Sequence, residues 1–390
     1  MKVLFTDINA KYINPTSSLI PALLKTGHEV VFFGPGFVSA EKIRLGVDRF
    51  CDEHGPFDFL ITTRHCWQFD EHQAEFYKKN TAGITDVSDF SAFFADMAAF
   101  IRKAEFPVVI FLTSLDVYAI SRQTIEDLEN KNYYLVTWAN GFSAPLADLK
   151  VFEQEEFFQR KKNTHEFGLW HDFVDRNSDH FINLGHFVGP NEFHWKPLEG
   201  RKNKVIVPGQ AYHRRKEVVQ RLKKEGFSVA TTSYNRWFAI LNRLGFSPYA
   251  NFIGNSVYNL LFQRAIFNSR FAYTEGYGYE RPIRKFFEIP ALGAVLLATP
   301  CIGWKELGFR DRENMLAVST QEVGDAIHWL DRSPEVAQEI ADEGRDHVWR
   351  RHSLRARATQ FTACLEAIKN SNYSGSYWQD GGFFITHKGQ

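Results

Sequence analysis

The sequence predicts an α/β protein built from two doubly wound parallel-sheet domains that face each other across a cleft. Short continuous apolar runs alternate with helix-length segments, the pattern of parallel strands buried on both faces. The strand–loop–helix order that opens the chain starts again after residue 203. The 390 residues suit two domains at roughly 150 residues each.

The first half reads as strands at 3–6, 28–33, 57–62, 107–112 and 133–138, with a sixth within 181–188. The earliest helix starts at a Ser17 or Ser18 cap, runs through Leu19, Leu23 and Leu24, and stops at Gly27. Pro190, Pro197, Gly200 and a run of charges mark a linker at 190–203. The second half reads as a strand at 204–207, then Pro208-Gly209, then a basic amphipathic helix at 214–224 that ends at Gly226. Further strands follow at 227–231, 271–274 and 294–298. Domain bounds are therefore 1–190 and 204–368, and residues 369–390, rich in Asn, Ser, Gly and Tyr, read as a tail that packs late on the first domain or not at all.

Composition excludes several classes. Lys and Arg number 46, as do Asp and Glu, so no global charge favours nucleic acid or a membrane surface. Mean hydropathy is −0.31 and no apolar run reaches the ~18 residues of a spanning helix. Cys51, Cys66, Cys301 and Cys364 lie far apart, with neither disulfide-framework nor metal-ligand spacing, which points to the cytoplasm. The start MKVLFTD reads as a buried strand and not as a secretory leader. Aromatic residues make up 15%, enough for large cores and for ligand-stacking surfaces.

In open α/β sheets ligands bind beyond the C-terminal strand ends. One wall of the cleft is then Asp7 to Thr16, His65 to Gln68, Leu115-Asp116 and Ala139 to Ser143, and the other is Gly209 to Arg215 and Thr274 to Glu288. The segment richest in chemistry is TEGYGYERPIRKFFEIPALGAVLLATP, from Thr274 to Pro300. Its Glu280 and Glu288 have seven residues between them. Glu280 falls in a glycine-rich loop with Gly276 and Gly278, and Glu288 falls in the first turns of a helix that Pro282 starts. Loop amides, the helix N-terminus, Arg281 and Arg284 together suit an anion, and a carboxylate inside the helix suits two sugar hydroxyls. The same residues also fit an exposed helix with ordinary surface carboxylates.

Arg284, Phe287, Glu288, Ile289, Pro290, Ala291, Gly293, Leu296 and Leu297, followed by NMLAV at 314–318 and the helical segments after it, resemble the donor-site signature of GT-B glycosyltransferases. The likeness is closest to the spore-maturation CgeB-like family and covers residues 204–368, while the first half matches only in outline. It implies a GT-B fold of two Rossmann-like domains, an acceptor-side first domain, and a nucleotide-sugar donor on the second. By position Glu288 would hold the nucleotide ribose and Glu280 would face the donor sugar. The loop from Gly209 to Lys216 would meet the diphosphate through Arg214, Arg215 and Lys216. Many relatives carry Arg directly after that glycine, where this chain has Gln210; either one of those three cations substitutes or the phosphate contacts differ. Positioned cations favour a transition state in which leaving-group charge develops.

The acceptor base is expected among Asp7, His65 and Asp116, each at a strand end, with His65 suited by its ordinary pKa near 6.5. Trp67, Trp138 and Tyr12 are candidates to stack on sugar rings. The sequence has no convincing DxD, HExxH or Cys/His cluster, so a hexosyltransferase-like reaction without cofactor or metal is expected. The acceptor would be a glycan or cell-surface polysaccharide precursor, compatible with peripheral membrane or biosynthetic-complex association. Rival readings are a nucleotide-sugar epimerase or hydrolase, a non-catalytic sugar- or nucleotide-binding protein, and a phage-type DNA glucosyltransferase. Neutral net charge counts against the last.

Overall fold

Strand β1 (Lys2–Thr6) starts the first sheet at once, and four of its five residues are buried. The computed structural model describes residues 1–9, 19–63, 66, 90–112, 133–138, 174, 176–209, 213–230, 240, 252–276 and 281–389. Around β1 lie β2 (Glu29–Phe33), β3 (Phe59–Thr63), β4 (Val108–Leu112), β5 (Tyr133–Thr137) and β6 (Phe181–Asn183), all parallel, in the order β2-β1-β3-β4-β5-β6. Every residue of β3, β4 and β5 is buried, as unbroken apolar runs covered on both faces require.

One face of this sheet packs on α1 (Leu19–Lys25), the other on α2 (Ala40–Arg44), α3 (Val47–His54) and α4 (Phe90–Lys103), through Ile20, Leu23 and Leu24 and through Ile43, Val47, Phe50, Phe93 and Met97. The second sheet holds β7 (Asn203–Ile206), β8 (Val229–Ala230), β9 (Ser269–Thr274), β10 (Val295–Ala298) and β11 (Leu316–Ala317) in the order β11-β10-β9-β7-β8, again parallel. Its covering helices are α5 (His213–Lys224), α6 (Phe252–Phe267), α7 (Lys285–Ala291), α8 (Val323–Arg332) and α9 (Pro334–His352).

The chain's last helix, α10 (Leu354–Lys369), departs from the domain bounds read in sequence. It lies in the residues assigned to the second domain, yet Ala358, Phe361, Cys364, Leu365 and Ile368 are buried in the core of the first sheet. Burying side chains such as Phe361, Leu365 and Ile368 contributes about 1.5–3 kcal/mol each. The terminal residues are an ordered antiparallel hairpin of β12 (Tyr373–Gln379) and β13 (Gly382–His387). Strand β6 is the edge of its sheet, and the hairpin covers it: Tyr373 Oη donates to Phe181 O at 2.6 Å and Trp378 Nε1 to Asn183 O at 2.7 Å. Asn183 N also donates to Ser376 Oγ at 3.0 Å.

Among the described residues the chain passes between the two halves near residue 188 and again near residue 353, and the two passages are hydrogen-bonded to each other. Val188 N donates to His352 O at 3.1 Å, and Leu354 N to Val188 O at 2.8 Å. Beside them Arg357, fully buried, donates to Gly185 O, Arg351 O and His186 O and to Nδ1 of His352, with its guanidinium 4.4 Å above the Trp378 ring. Since His352 Nδ1 accepts, its proton sits on Nε2, which donates to Leu307 O at 2.8 Å. Burial and the Arg357 charge push the His352 pKa well below its ordinary value, so the imidazole is neutral. Among the described residues no helix is long and apolar enough to cross a membrane.

Candidate functional site

The C-terminal ends of β7 and β9 and the start of α7 converge on one point. Gly209, just past β7, has φ +87, a left-handed conformation that L side chains avoid. A Cβ there would lie 2.9 Å from Lys285 Cε and 3.2 Å from its Nζ. The missing side chain is therefore what lets the lysine lie against the turn. Arg215, in the first turn of α5, stands on the other side, with Nη1 3.8 Å from the same Cβ position.

Arg215 is buried, and its Nε faces Oε1 of Glu275, at the end of β9, at 3.6 Å. Lys285 has no hydrogen-bond or ion-pair partner among the described residues, and its Nζ is 6.0 Å from the Phe262 ring. Burial, followed by the neighbouring Arg215 charge, pulls its pKa down to about 8. A half-buried ammonium beside a buried guanidinium and under a glycine turn can cradle an anion. Helix α7 has only seven residues and begins at Lys285, not at Pro282 as the sequence suggests. The cradle's positive charge comes from its side chains.

Glu288 sits one turn further along α7 and is 8% exposed. Its Oε1 takes Arg284 Nη1 at 2.7 Å. Nη2 of the same arginine reaches Glu192 Oε1 at 2.5 Å, in the passage between the two sheets. Burial opposes the Arg284 charge, but Glu288 and Glu192 outweigh it and raise the pKa. Oε2 of Glu288 carries no partner among the described residues and is not sealed, so it can accept from a ligand hydroxyl.

On the opposite sheet Asp7 follows β1. Its Oδ1 accepts from Ile8 N at 2.7 Å and lies 3.9 Å from Cys66 Sγ. Burial pushes its pKa up to about 7, against the opposing effects of Thr63, the Ile8 amide and Cys66. Gly34 packs on it so closely that a Cβ would stand 2.1 Å from Asp7 O. A carboxyl held near neutrality at a strand end can take or give a proton at working pH.

The structure thus brings Gly209, Arg215, Arg284 and Glu288 into one neighbourhood. Arg284 is occupied by two carboxylates. Arg281 is fully buried, Arg214 is half-buried and Lys216 is exposed. Glu280, His65, Asp116, Trp67 and Tyr12 lie outside the described residues. Trp138 is packed against Phe111 and Phe187 and is 5% exposed, which removes it as a stacking platform. Sequence reasoning missed Lys285, Glu275 and Glu192. The signal for Lys285 was its place directly beside Arg284 and three residues before Glu288; Glu275 directly follows an apolar strand.

Two parallel Rossmann-like sheets of this order define the GT-B fold. Residues 214–363, from the first turn of α5 into α10, match the family model described as glycosyl transferase-like. No curated protein matches the chain by sequence. The fold is similar to sucrose-phosphate synthase from Thermosynechococcus elongatus (TM-score 0.54, 10% identity, 95% of this chain and 100% of that one). It is also similar to a Rickettsia africae glycosyltransferase (TM-score 0.53, 12% identity, 94% and 98%). A third similar structure is Anabaena HepE in complex with UDP and glucose (TM-score 0.51, 11% identity, 94% and 100%).

Proposed function

We propose that this chain is a glycosyltransferase that moves a sugar, in hexosyltransferase-like fashion, from a nucleotide-sugar donor to a hydroxyl of a glycan or cell-surface polysaccharide precursor. The observation that carries the reading is the cradle of Gly209, Arg215 and Lys285 set beside the open Oε2 of Glu288. A phosphate group suits the two cations, and a ribose diol suits the carboxylate. The family match over residues 214–363 supports the class, and the UDP and glucose held by the Anabaena structure support a nucleoside diphosphate sugar as the donor.

In this reading Lys285 and Arg215 hold the diphosphate and stabilise the negative charge that grows on it as the glycosidic bond breaks. No metal is needed for that step, because the two cations supply the charge. Glu288 fixes the nucleotide by its ribose, and Glu280 faces the sugar. Asp7, in its ionised form, removes the acceptor hydroxyl proton as the oxygen attacks. His65 is the other candidate for that proton.

The test is turnover of labelled nucleotide sugars with and without added acceptor glycans, in EDTA and in Mg²⁺. Transfer that requires acceptor and survives EDTA is expected. Donor loss without acceptor would favour the epimerase or hydrolase reading, and binding without any turnover a non-catalytic one. Activity restored only by a divalent cation would overturn the metal-independent step.

A further inference from the structure

Glu192 lies far in sequence from the donor segment, in a 3₁₀ turn, Pro190–Glu192, on the passage between the two sheets. It is 8% exposed, and both its carboxylate oxygens are spent: Oε2 accepts from Gly189 N at 2.6 Å, and Oε1 accepts from Arg284 Nη2 at 2.5 Å. The first contact ties the carboxylate to its own turn, four residues from the Val188–His352 hydrogen bond that joins the two passages. The second ties it to the donor helix.

An arginine facing a lone carboxylate tends to engage both oxygens with its two terminal nitrogens. Here Glu192 holds Nη2, so of the two terminal nitrogens Nη1 is the one left for Glu288, at 2.7 Å to Oε1, while Nε has no hydrogen-bond partner among the described residues. Oε2 of Glu288 has no partner among the described residues.

We propose that Glu192 is a positioning residue for the donor: by occupying one arm of Arg284 it keeps Oε2 of Glu288 free to accept a ribose hydroxyl. The inference rests on the reading of Glu288 as the ribose carboxylate. When Glu192 loses its charge, Arg284 closes on Glu288 with both nitrogens and competes with the ribose. The same contact links the donor helix to the passage between the two sheets.

The experiment uses the full chain and uridine, guanosine and adenosine 5′-diphosphates, each beside its 2′,3′-dideoxy counterpart. Binding is measured by calorimetry for wild type, Glu192→Gln and Glu288→Ala. Glutamine keeps the size of the side chain and can still accept from Gly189 N, and thermal melting checks that the variant is folded. Wild type should prefer the riboside of its best-bound pair by roughly tenfold or more, the worth of hydrogen bonds to a charged group. Glu192→Gln should shrink that preference by about fivefold while changing dideoxy affinity less than about twofold, a coupling typical of residues in one network. Glu288→Ala should abolish the preference.

If the preference disappears in Glu288→Ala but survives intact in Glu192→Gln, the proposed role of Glu192 is wrong. Equal weakening of riboside and dideoxy forms in Glu192→Gln would show a merely structural residue and also overturn it. If wild type shows no preference, or binds no diphosphate, the donor reading itself fails, which is a different result from the first two.

Discussion

Gly209 and Lys285 share space that only a glycine can leave: a Cβ on residue 209 would stand 2.9 Å from the lysine Cε. At φ +87 an alanine also carries backbone strain of about 1–2 kcal/mol. Gly209→Ala should therefore push Lys285 from the cradle and weaken nucleoside-diphosphate binding by about tenfold, in line with the loss of one charged hydrogen bond. Calorimetry decides it; unchanged affinity in a folded variant removes Lys285 from the phosphate site.

With Lys285 at the phosphate site, donor binding should also be sensitive to pH. Its folded-state pKa is lowered to about 8, so the free protein keeps the ammonium below that pH and loses it above. A bound anion needs the charged form. Affinity should be flat from pH 6 to about 7.5 and fall from about pH 8 upward, while Lys285→Met should bind weakly and lose this inflection. A wild-type profile that stays level to pH 9.5 contradicts the assignment.

Asp7 gives the opposite limb. Its folded pKa of about 7 lies above the ordinary carboxyl value, so the native state keeps a proton that the unfolded chain gives up from about pH 4. Stability contributed by the neutral carboxyl is full below pH 4 and declines as pH rises to about 7, by up to roughly 1.4 kcal/mol per pH unit. Asp7→Asn should flatten that decline and melt higher than wild type at pH 8. If Asp7 is the acceptor base, the same variant loses about 10²–10⁴-fold in turnover with donor affinity intact. Normal turnover would pass the role to His65 or Asp116.

Arg357 is the donor to both passages between the sheets. Replacing it with methionine leaves the carbonyls of Gly185, His186 and Arg351 and Nδ1 of His352 without it, and a buried acceptor left unpaired costs about 1–3 kcal/mol. Arg357→Met should lower the melting temperature by several degrees or more. A melting curve that overlays wild type would show that the carbonyls find other donors without loss.

Much of the architecture was legible because burial on both faces leaves a plain mark. Runs such as Val108 to Leu112 and Val295 to Ala298 carry no polar residue, and both are strands within a residue of where the pattern puts them. Helix α6 was missed, since its exposed Val257 and Leu260 blur the amphipathic period. The hairpin over β6 was missed too: its polar, glycine-containing strands read as a tail until the edge they cover is known. In the site, Glu288 and Arg215 were singled out by their motifs, whereas Glu192 gives no local hint of the arginine 92 positions away that it holds.

The amino-acid order by itself determined the two parallel sheets and their restart near residue 204, and it pointed to the segment from Thr274 to Pro300 as the candidate donor site. It could do so because strand burial, turns and glycine positions are local properties of the chain. Only the tertiary structure decided which charges remain available. Arg284 resembles an anion ligand in sequence and is taken by two carboxylates, while Lys285, one residue on, lies beneath Gly209 with no ion-pair partner among the described residues. Likewise the shift of Asp7 to neutrality and the docking of α10 on the first sheet follow from neighbours brought in from distant segments. Charge pairing and desolvation depend on distances through space, and those are set only when the sheets, helices and the passages between them are packed.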